Sequence, residues 1–462
     1  MAKLVPTIGL EIHVQLKTAS KMFCRCNNDA EGKDPNTTVC PVCMGFPGTL
    51  PVTNEQAIKW GALVGLMLEC KINNFQRFDR KNYFYPDLPK GYQVSQFFYP
   101  VGENGKITID YQEDTGKEPK EFTVRIMRVH LEEDAGKLMH AKDGTLVDFN
   151  RCGTPLLEIV TEPDIHSSRE AKAFLQELQR VVRSLGVSDA DMEKGQMRCD
   201  ANISMAEEGS SELGTLVELK NMNSFRFIEK ALEFELKRQT EVIESGGEIT
   251  KETRGFDEKN GTTLSQRSKE EFNDYRYFPE PDLPPINLSE GDINELKNGL
   301  IELPSVLRKK AIETDLVYSR IIELQETDKL LRFVNVFKEA NVDASLVANW
   351  VGKKWESDTS LAGFLQTISK EKLSSTEANQ LYKLAGESDQ NWGDLVSKIE
   401  RLDIKDIEKI IDEVIADNEK AASEYKAGEQ KAIGFLMGQI MKKLGAKGDP
   451  SVIKPLLEEK IS

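Results

Sequence analysis

Five short segments in the first half of the chain carry acidic and polar residues on apolar, strand-like backgrounds. They read Gly-Leu-Glu-Ile-His at 9–13, His-Leu-Glu-Glu-Asp-Ala-Gly-Lys at 130–137 and Gly-Thr-Pro-Leu-Leu-Glu-Ile-Val at 153–160, then Arg-Cys-Asp-Ala-Asn-Ile-Ser at 198–204 and Glu-Leu-Lys-Asn-Met-Asn-Ser at 218–224. Residues two apart in a strand share a face, so Glu11 and His13 point one way, as do Asp200 and Asn202. Glu158 stands among Leu156, Leu157, Ile159 and Val160, where an ionised carboxylate is costly unless it is paired or bound to a cation. Strands from distant parts of the chain could bring these groups into one oxygen-rich site suited to Mg²⁺ or Mn²⁺. Such a cation beside a lysine is what phosphate chemistry on ATP requires. Taken singly, each acid is better explained as a solvated strand position or a salt-bridge partner, and His13 as a partly buried ring with its own partner. The recurrence of the pattern on several apolar strands is what argues for a site.

A second constellation is made of cysteines. Cys24 and Cys26 form C-x-C, Cys40 and Cys43 form C-x2-C, and the thirteen residues between the pairs are rich in Asn, Asp, Gly, Pro and Thr. Four thiolates across such a loop read as a structural tetrahedral Zn²⁺ site, with four unpaired reduced thiols as the competing reading. A metal with four protein ligands has no open position, so its work would be to pin the loop. Cys70, Cys152 and Cys199 are isolated and expected to be buried as small apolar residues.

The elements that must position these groups follow from periodicity. Strands are predicted over Thr7–Val14, Gly105–Tyr111, Glu121–Val129 and Leu156–Val160, and helices over Asn54–Leu68, Ser168–Leu185 and Ser224–Ser245. In the second helix Ala171, Phe174, Leu175, Leu178, Val181, Val182 and Leu185 recur at helical spacing, with Ser167 or Ser168 as cap and Gly186 as terminator. Strands without regular β-α alternation argue against a doubly wound sheet, and the chain has neither Gly-x-Gly-x-x-Gly nor a P-loop motif. The proline-dense stretch 277–285 reads as the exit from the first domain. Beyond it the pattern is helical, including Pro304–Glu313 and Asp328–Ala340. In a last unit Ile433, Leu436, Met437, Ile440, Met441 and Leu444 make one apolar stripe. Lys431, Lys442, Lys443, Lys447, Lys454 and Lys460 surround that stripe, as a solvated face or as a contact for a phosphate backbone. The expected organisation is an α+β chain: a mixed-sheet domain over 1–292, a helical domain over 293–405 and a small helical tail domain over 406–462.

The 462 residues suffice for about three domains. No apolar run reaches the length of a membrane span and no signal-peptide core opens the chain, so the expected location is the cytosol. There, cysteines remain reduced. A formal net charge of −16 disfavours nonspecific adhesion to nucleic acid or anionic lipid, while leaving room for a local basic face.

The chain resembles the B-subunit family of the aspartyl/glutamyl-tRNA amidotransferases (GatB). The resemblance rests on Gly-Leu-Glu-Ile-His-Val-Gln-Leu-Lys-Thr at 9–18, Phe-Asp-Arg-Lys-Asn-Tyr-Phe-Tyr-Pro-Asp at 78–87, Gly-Tyr-Gln-Val-Ser-Gln at 91–96 and the segments 130–137, 148–163, 197–204 and 218–225. Asp-Tyr-Arg-Tyr-Phe-Pro-Glu-Pro-Asp at 274–282 and Gly-Phe-Leu-Met-Gly-Gln-Ile-Met at 434–441 extend it to essentially the whole length. It implies a glutamine-synthetase-like sheet in the first domain, a helical middle and a tail that helps select tRNA. It implies partners: the glutaminase and the small third component of a heterotrimeric amidotransferase, and misacylated Glu-tRNA(Gln) or Asp-tRNA(Asn). The implied chemistry is activation of the side-chain carboxylate with ATP to an acyl phosphate, which ammonia from glutamine then displaces. Carried over by position, Glu11, His13, Glu132, Glu158 and Asp200 form the Mg²⁺ site. Lys220 contacts ATP phosphates, with Asn202, Asn221 and Asn223 as further cofactor-binding residues. Lys81, Lys90 and Glu133 match the ammonia path and its gate, and Cys24, Cys26, Cys40 and Cys43 match a zinc site present in part of the family. A non-catalytic, zinc-stabilised tRNA-binding platform is the alternative, and a degenerate homologue with another acyl-tRNA substrate is a third reading. The platform accounts for the cysteines and the basic tail, but not for the acidic strands.

Overall fold

A computed structural model of the chain describes residues 3–113, 116–210, 212–268, 275–385, 392–399, 404–427, 429, 431–445 and 450–461. The chain divides into two compact units, Met1–Val306 and Leu307–Ser462. Lys447 and Asp274, singled out in the sequence, lie outside the described residues.

The first unit is built on a large mixed sheet. Its strands are β1 (Leu4–Gln15), β2 (Lys71–Ile72), β3 (Phe75–Asn82), β4 (Tyr92–Tyr99), β5 (Gly102–Tyr111) and β6 (Lys120–Glu133). A small separate hairpin, β7 (Lys137–Ala141) and β8 (Gly144–Asp148), follows. The sheet continues with β9 (Pro155–Thr161), β10 (Met197–Glu207), β11 (Val217–Lys220), β12 (Glu252–Asp257), β13 (Thr262–Ser268), β14 (Phe278–Pro279) and β15 (Ile286–Asn287). The spatial order is β13-β12-β11-β10-β1-β9-β6-β4-β3-β14, with β15 on β3, β5 on β6 and β2 on β5. All described pairings are antiparallel except β11 with β12. This mixed, non-alternating topology agrees with the α+β expectation.

The helices α1 (Glu55–Met67), α2 (Ser168–Ser184) and α3 (Phe225–Glu244) share one hydrophobic core with the sheet. Each begins where the sequence says it should. Asn54 caps α1, Ser167 accepts from the Glu170 amide to cap α2, and Ser224 accepts from the Phe227 amide to cap α3; such caps are worth about 1 kcal/mol each. Ala171, Phe174, Leu175, Leu178, Val181 and Val182 of α2 are all buried, and each large side chain among them contributes about 2 kcal/mol by leaving water. The central strand β1 shows why the sheet is two-faced. Ile8, Leu10, Ile12 and Val14 are buried in the core, and the intervening Glu11 and His13 leave the opposite face.

The proline-dense stretch is stitched into the sheet. Phe278–Pro279 pairs with Arg80 and Asp79, and Ile286–Asn287 pairs with Gln76 and Phe75. Proline lacks a backbone donor but is tolerated at a sheet edge, which is why a run that reads as a break closes the sheet on one side. The helix α4 (Glu290–Lys297) follows behind a Ser289–Asp292 capping box, and Ile293, Leu296 and Leu303 pack on the same core.

The second unit is helical and holds two hydrophobic clusters. One is formed by α5 (Pro304–Ile312, whose last turns lie in this unit), α6 (Tyr318–Glu326), α7 (Leu330–Ala340), α8 (Ala344–Trp350), α9 (Asp358–Glu371), α10 (Ser375–Ala385) and α11 (Trp392–Val396). Its centre is aromatic, with Trp350 and Trp355 each 4.7 Å from the Phe364 ring. The other cluster joins α12 (Ile404–Asp417), α13 (Glu419–Lys426), α14 (Lys431–Leu444) and α15 (Pro450–Ile461). Leu436, Ile440 and Leu444 of the predicted stripe are buried, and Ile433, Met437 and Met441 pack beside them. The lysine face is partly neutralised from within: Lys443 reaches Asp417 at 3.1 Å and Lys460 reaches Asp412 at 2.8 Å. No described helix is long and apolar enough to cross a membrane.

Candidate functional site

Register across four strands assembles the acidic cluster. Glu11 of β1 lies opposite Asp200 of β10, and His13 of β1 lies opposite Glu158 of β9 and Arg198 of β10. Glu158 in turn lies opposite His130 of β6, and Glu132 shares the face of His130, two residues on. Residues separated by up to about 190 positions in sequence thus become neighbours on one face of the sheet. His13 Nε2 stands 3.3 Å from Glu158, 3.5 Å from Glu132 and 3.9 Å from Glu11. Two groups here are spaced to chelate a metal: Glu11, His13 and Glu158, and His130, Glu132 and Glu158.

The electrostatics show a site that demands positive charge. Burial disfavours charge on the His13 ring, but the hydrogen bond to Glu158 and the charges of Glu158, Glu132 and Glu11 raise its pKa to about 9. Burial likewise opposes charge on Glu158, yet His130 and His13 hold its carboxyl well below the usual range. Burial and the like charges of Glu158 and Asp200 push Glu11 up. A proton on His13 therefore balances carboxylates that a divalent cation would balance equally well. The donor set, carboxylate oxygens with one or two imidazole nitrogens, fits Mg²⁺ or Mn²⁺.

Lys220 ends β11 beside this cluster. Its ammonium pairs with Asp200 and lies 3.1 Å from Glu218; burial would lower its pKa, but these two acids hold it above the usual lysine value. Asn221, at φ 64°, turns the chain toward the cap of α3. Lys220, Asn221 and Asn223 line one cleft of about 1350 Å³ together with Glu11, His13 and Glu132, larger than a single small-ligand pocket. Asn202 stands farther out on β10, opposite Gly9 and Glu218.

Lys81, Lys90 and Glu133 are divided by the sheet. Lys81 is on the cleft side, its ammonium 4.9 Å from the Tyr275 ring centre. Burial would lower its pKa, but Glu132, Tyr277 and Glu158 hold it raised. Glu133 follows Glu132 directly, so it leaves the other face, where its carboxylate pairs with Lys90 and accepts from the Val94 amide at 2.9 Å.

The four clustered cysteines converge, their Sγ atoms all within 4.8 Å of one another. That spacing fits a tetrahedral metal with bonds of about 2.3 Å. The Cys24 hydrogen bond, the Cys40 backbone and the Lys21 charge outweigh burial and lower Cys43 to about 5, while burial raises Cys26 to about 11. Lys21 is fully buried, its Nζ 4.0 Å from Cys43 Sγ. Gly45, at φ 68°, lets the loop lie directly on Lys90; a Cβ there would stand 2.4 Å from Lys90 Cγ. Cys70, Cys152 and Cys199 are buried, as expected.

Sequence reasoning passes over two contributors. His130 Nε2 is 3.0 Å from Glu158, and its buried Nδ1 has no hydrogen-bond partner among the described residues. The two-residue alternation that pairs Glu11 with His13 also pairs His130 with Glu132, so the signal was present. Asp134 is the other. It is buried, pairs with Arg198, lies 3.5 Å from Arg151 and accepts from Gln15 at 2.9 Å. No local pattern announces that network.

A family model described as the GatB/GatE catalytic domain matches residues 6–294, and one described as the GatB domain matches residues 339–461. The chain is similar to proteins named as the B-subunit of aspartyl/glutamyl-tRNA(Asn/Gln) amidotransferase from several bacteria. It is 41% identical to that of Persephonella marina and 43% identical to that of Thermotoga neapolitana, over 98% of each chain. It is 42% identical to that of Crocosphaera subtropica, over 98% of this chain and 96% of the other.

Proposed function

The chain belongs to the GatB/GatE family of ligase-type amidotransferase components, and from that premise we propose that it activates the side-chain carboxylate of misacylated Glu-tRNA(Gln), Asp-tRNA(Asn) or both with ATP and completes the amidation. The observation that carries this reading is the convergence of Glu11, Glu132 and Glu158 on His13, with Glu11, His13 and Glu132 lining one broad cleft together with Lys220.

A carboxylate is a poor acyl electrophile because its leaving group would be oxide. One oxygen of the substrate carboxylate attacks the γ-phosphorus of ATP, the bond to the β-phosphate oxygen breaks, and ADP leaves. The lone pair of ammonia then attacks the acyl carbon and phosphate departs, leaving the side-chain amide of Gln-tRNA(Gln) or Asn-tRNA(Asn). Mg²⁺, held by Glu11, His13, Glu132 and Glu158 with Asp200 nearby, would neutralise charge on the phosphates. Lys220 stabilises charge on the transferring phosphoryl group, acting from a position already balanced by Asp200 and Glu218. Asn221 and Asn223 offer amide donors and acceptors in the same cleft, and Asn202, farther out on β10, is a further cofactor-binding candidate. Lys81, Lys90 and Glu133 lie on the ammonia path; the acyl phosphate hydrolyses readily, so a route that excludes bulk water protects it. Zn²⁺ on Cys24, Cys26, Cys40 and Cys43 would pin the loop that lies on Lys90. The chain works in the cytoplasm with a glutaminase and a small third component as a heterotrimer. Residues 1–292 hold the chemistry, 293–405 form the helical middle, and 406–462 contact tRNA.

The test is ATP-dependent phosphorylation of the aminoacyl group by the assembled complex. Glu158→Gln and Asp200→Asn are each expected to lower it by about a hundredfold or more while tRNA binding and melting temperature stay close to wild type. Full activity in both variants would favour the non-catalytic platform.

A further inference from the structure

The group to be activated is itself a carboxylate, and it must enter a cleft already lined by Glu11, Glu132, Asp134 and Asp200. Like charges repel, so a cation has to receive it. Most cations of the cleft are committed elsewhere. Lys220 pairs with Asp200 and Glu218, the Lys81 ammonium lies against the Tyr275 ring, and Lys194 reaches Glu31 at 2.6 Å. Arg151 donates from Nε to the Ala135 carbonyl at 3.0 Å and from Nη2 to the Gly136 carbonyl at 2.6 Å. Lys137 and Lys259 are exposed lysines, whose flexible stems fix no geometry.

Arg198 differs on three counts. It stands directly opposite His13 in the β1–β10 register, beside the acidic cluster. Its guanidinium is fixed at one end, where Nη2 donates to the buried carboxylate of Asp134. Asp134 is held in turn by Gln15 Nε2 and by the Ala135 amide, each at 2.9 Å. The rest of the guanidinium is not satisfied within the chain. Nε is buried without a hydrogen-bond partner among the described residues, while the side chain as a whole is 39% exposed and lines the cleft. An arginine with a purely structural task satisfies its buried donors, as Arg151 does beside the same aspartate.

We propose that Arg198, oriented by Asp134, receives the side-chain carboxylate of the misacylated amino acid. This rests on the activation reading and names the residue that holds its substrate. A guanidinium presents several donors in a rigid plane that matches a carboxylate. One substrate oxygen accepts from Arg198. The other attacks the γ-phosphorus, and the bond to the β-phosphate oxygen breaks with its electron pair leaving on ADP. Arg198 then faces the carbonyl oxygen of the acyl phosphate. As ammonia adds to the acyl carbon, negative charge gathers on that oxygen and Arg198 stabilises it. Phosphate departs with the electron pair of the broken bond and takes a proton from the nitrogen. The amide product carries no charge, so the grip weakens and product is released in preference to substrate.

The experiment measures binding to the assembled amidotransferase of three forms of one tRNA: the misacylated form that the complex amidates, the amidated form and the uncharged form. Wild type is expected to bind the misacylated form more tightly than the amidated one. Arg198→Met is expected to weaken binding of the misacylated form by about tenfold and to abolish that preference, while the amidated and uncharged forms change by less than about twofold. In kinetics its KM for misacylated tRNA rises and its KM for ATP does not. Should Arg198→Met melt well below wild type, Arg198→Lys carries the test: it keeps the charge beside Asp134, loses the planar fork, and is expected to lose part of the preference. Equal weakening of all three forms, or a preference that survives in both variants, would overturn the assignment. A wild-type complex that shows the preference yet phosphorylates no aminoacyl group would instead overturn the activation reading.

Discussion

Glu158 illustrates how one residue acquires its meaning from its cross-strand neighbours. In sequence it is an acid among aliphatic side chains; in the sheet it sits between His13 and His130, which hold it ionised. Its cost of burial is offset by two imidazoles, and the same crowding makes it available to a cation. Lys220 is balanced differently, by direct pairing with Asp200 and Glu218. Replacing it with Met removes a charge that acts on the phosphates and leaves the fold nearly untouched. Lys220→Met is therefore expected to lower kcat for aminoacyl phosphorylation by about a hundredfold, with a smaller effect on tRNA affinity. Steady-state kinetics on the assembled complex would show it, and an unchanged kcat would remove Lys220 from the chemistry.

At the scale of elements, two devices brace the sheet that carries the cleft. The cysteine loop is tied to the sheet and to α1: Met22 donates to the Gly153 carbonyl at 2.7 Å, and the Asn54 side chain bonds Ser20 while capping α1. Wild-type protein should carry about one zinc per chain, and Cys40→Ser should lose most of it by elemental analysis and expose the loop to proteolysis. Metal-free wild type with an equally resistant loop would sink the zinc assignment. The Asp134 network is the second device. Two guanidiniums, Arg198 and Arg151, overcome the burial penalty and hold its carboxyl below the usual carboxylate value. A carboxyl depressed on folding stabilises the protein fully above the unfolded-state value of about 4 and loses that contribution as pH falls through the folded-state value. Asp134→Asn should therefore cost about 3 kcal/mol near neutral pH. In melting experiments the gap from wild type should shrink as the solution is acidified, whereas a gap independent of pH would place the effect in packing.

At the scale of the whole molecule, an acidic chain must still meet a polyanion. In the tail unit Lys443 and Lys460 are occupied by acids of α12, whereas Lys431 and Lys442 are exposed on α14. If that face meets tRNA, Lys431→Glu with Lys442→Glu weakens binding and flattens its salt dependence by about one unit of log–log slope for each lost contact. Binding isotherms at several salt concentrations give that slope directly; an unaltered slope would move the tRNA contact elsewhere.

The sequence was enough to establish the family, by resemblance along its length, and, by local signals, the class of fold and the longer elements that flank the site. Capping serines, helical spacing in α2, alternation in β1 and the paired cysteines are all read from residues a few positions apart. Alternation and resemblance also supplied the names of the residues in the acidic cluster. The tertiary structure settled what no local pattern carries. Strand register alone sets Glu158 between His13 and His130, adds His130 to the site, and buries Asp134 between two arginines contributed by other segments. It also turned the proline-dense run into a sheet edge, and parted Lys90 and Glu133 from Lys81 by the thickness of the sheet. Each of these depends on which strand lies beside which, and pairing between distant segments is fixed only when the whole core closes.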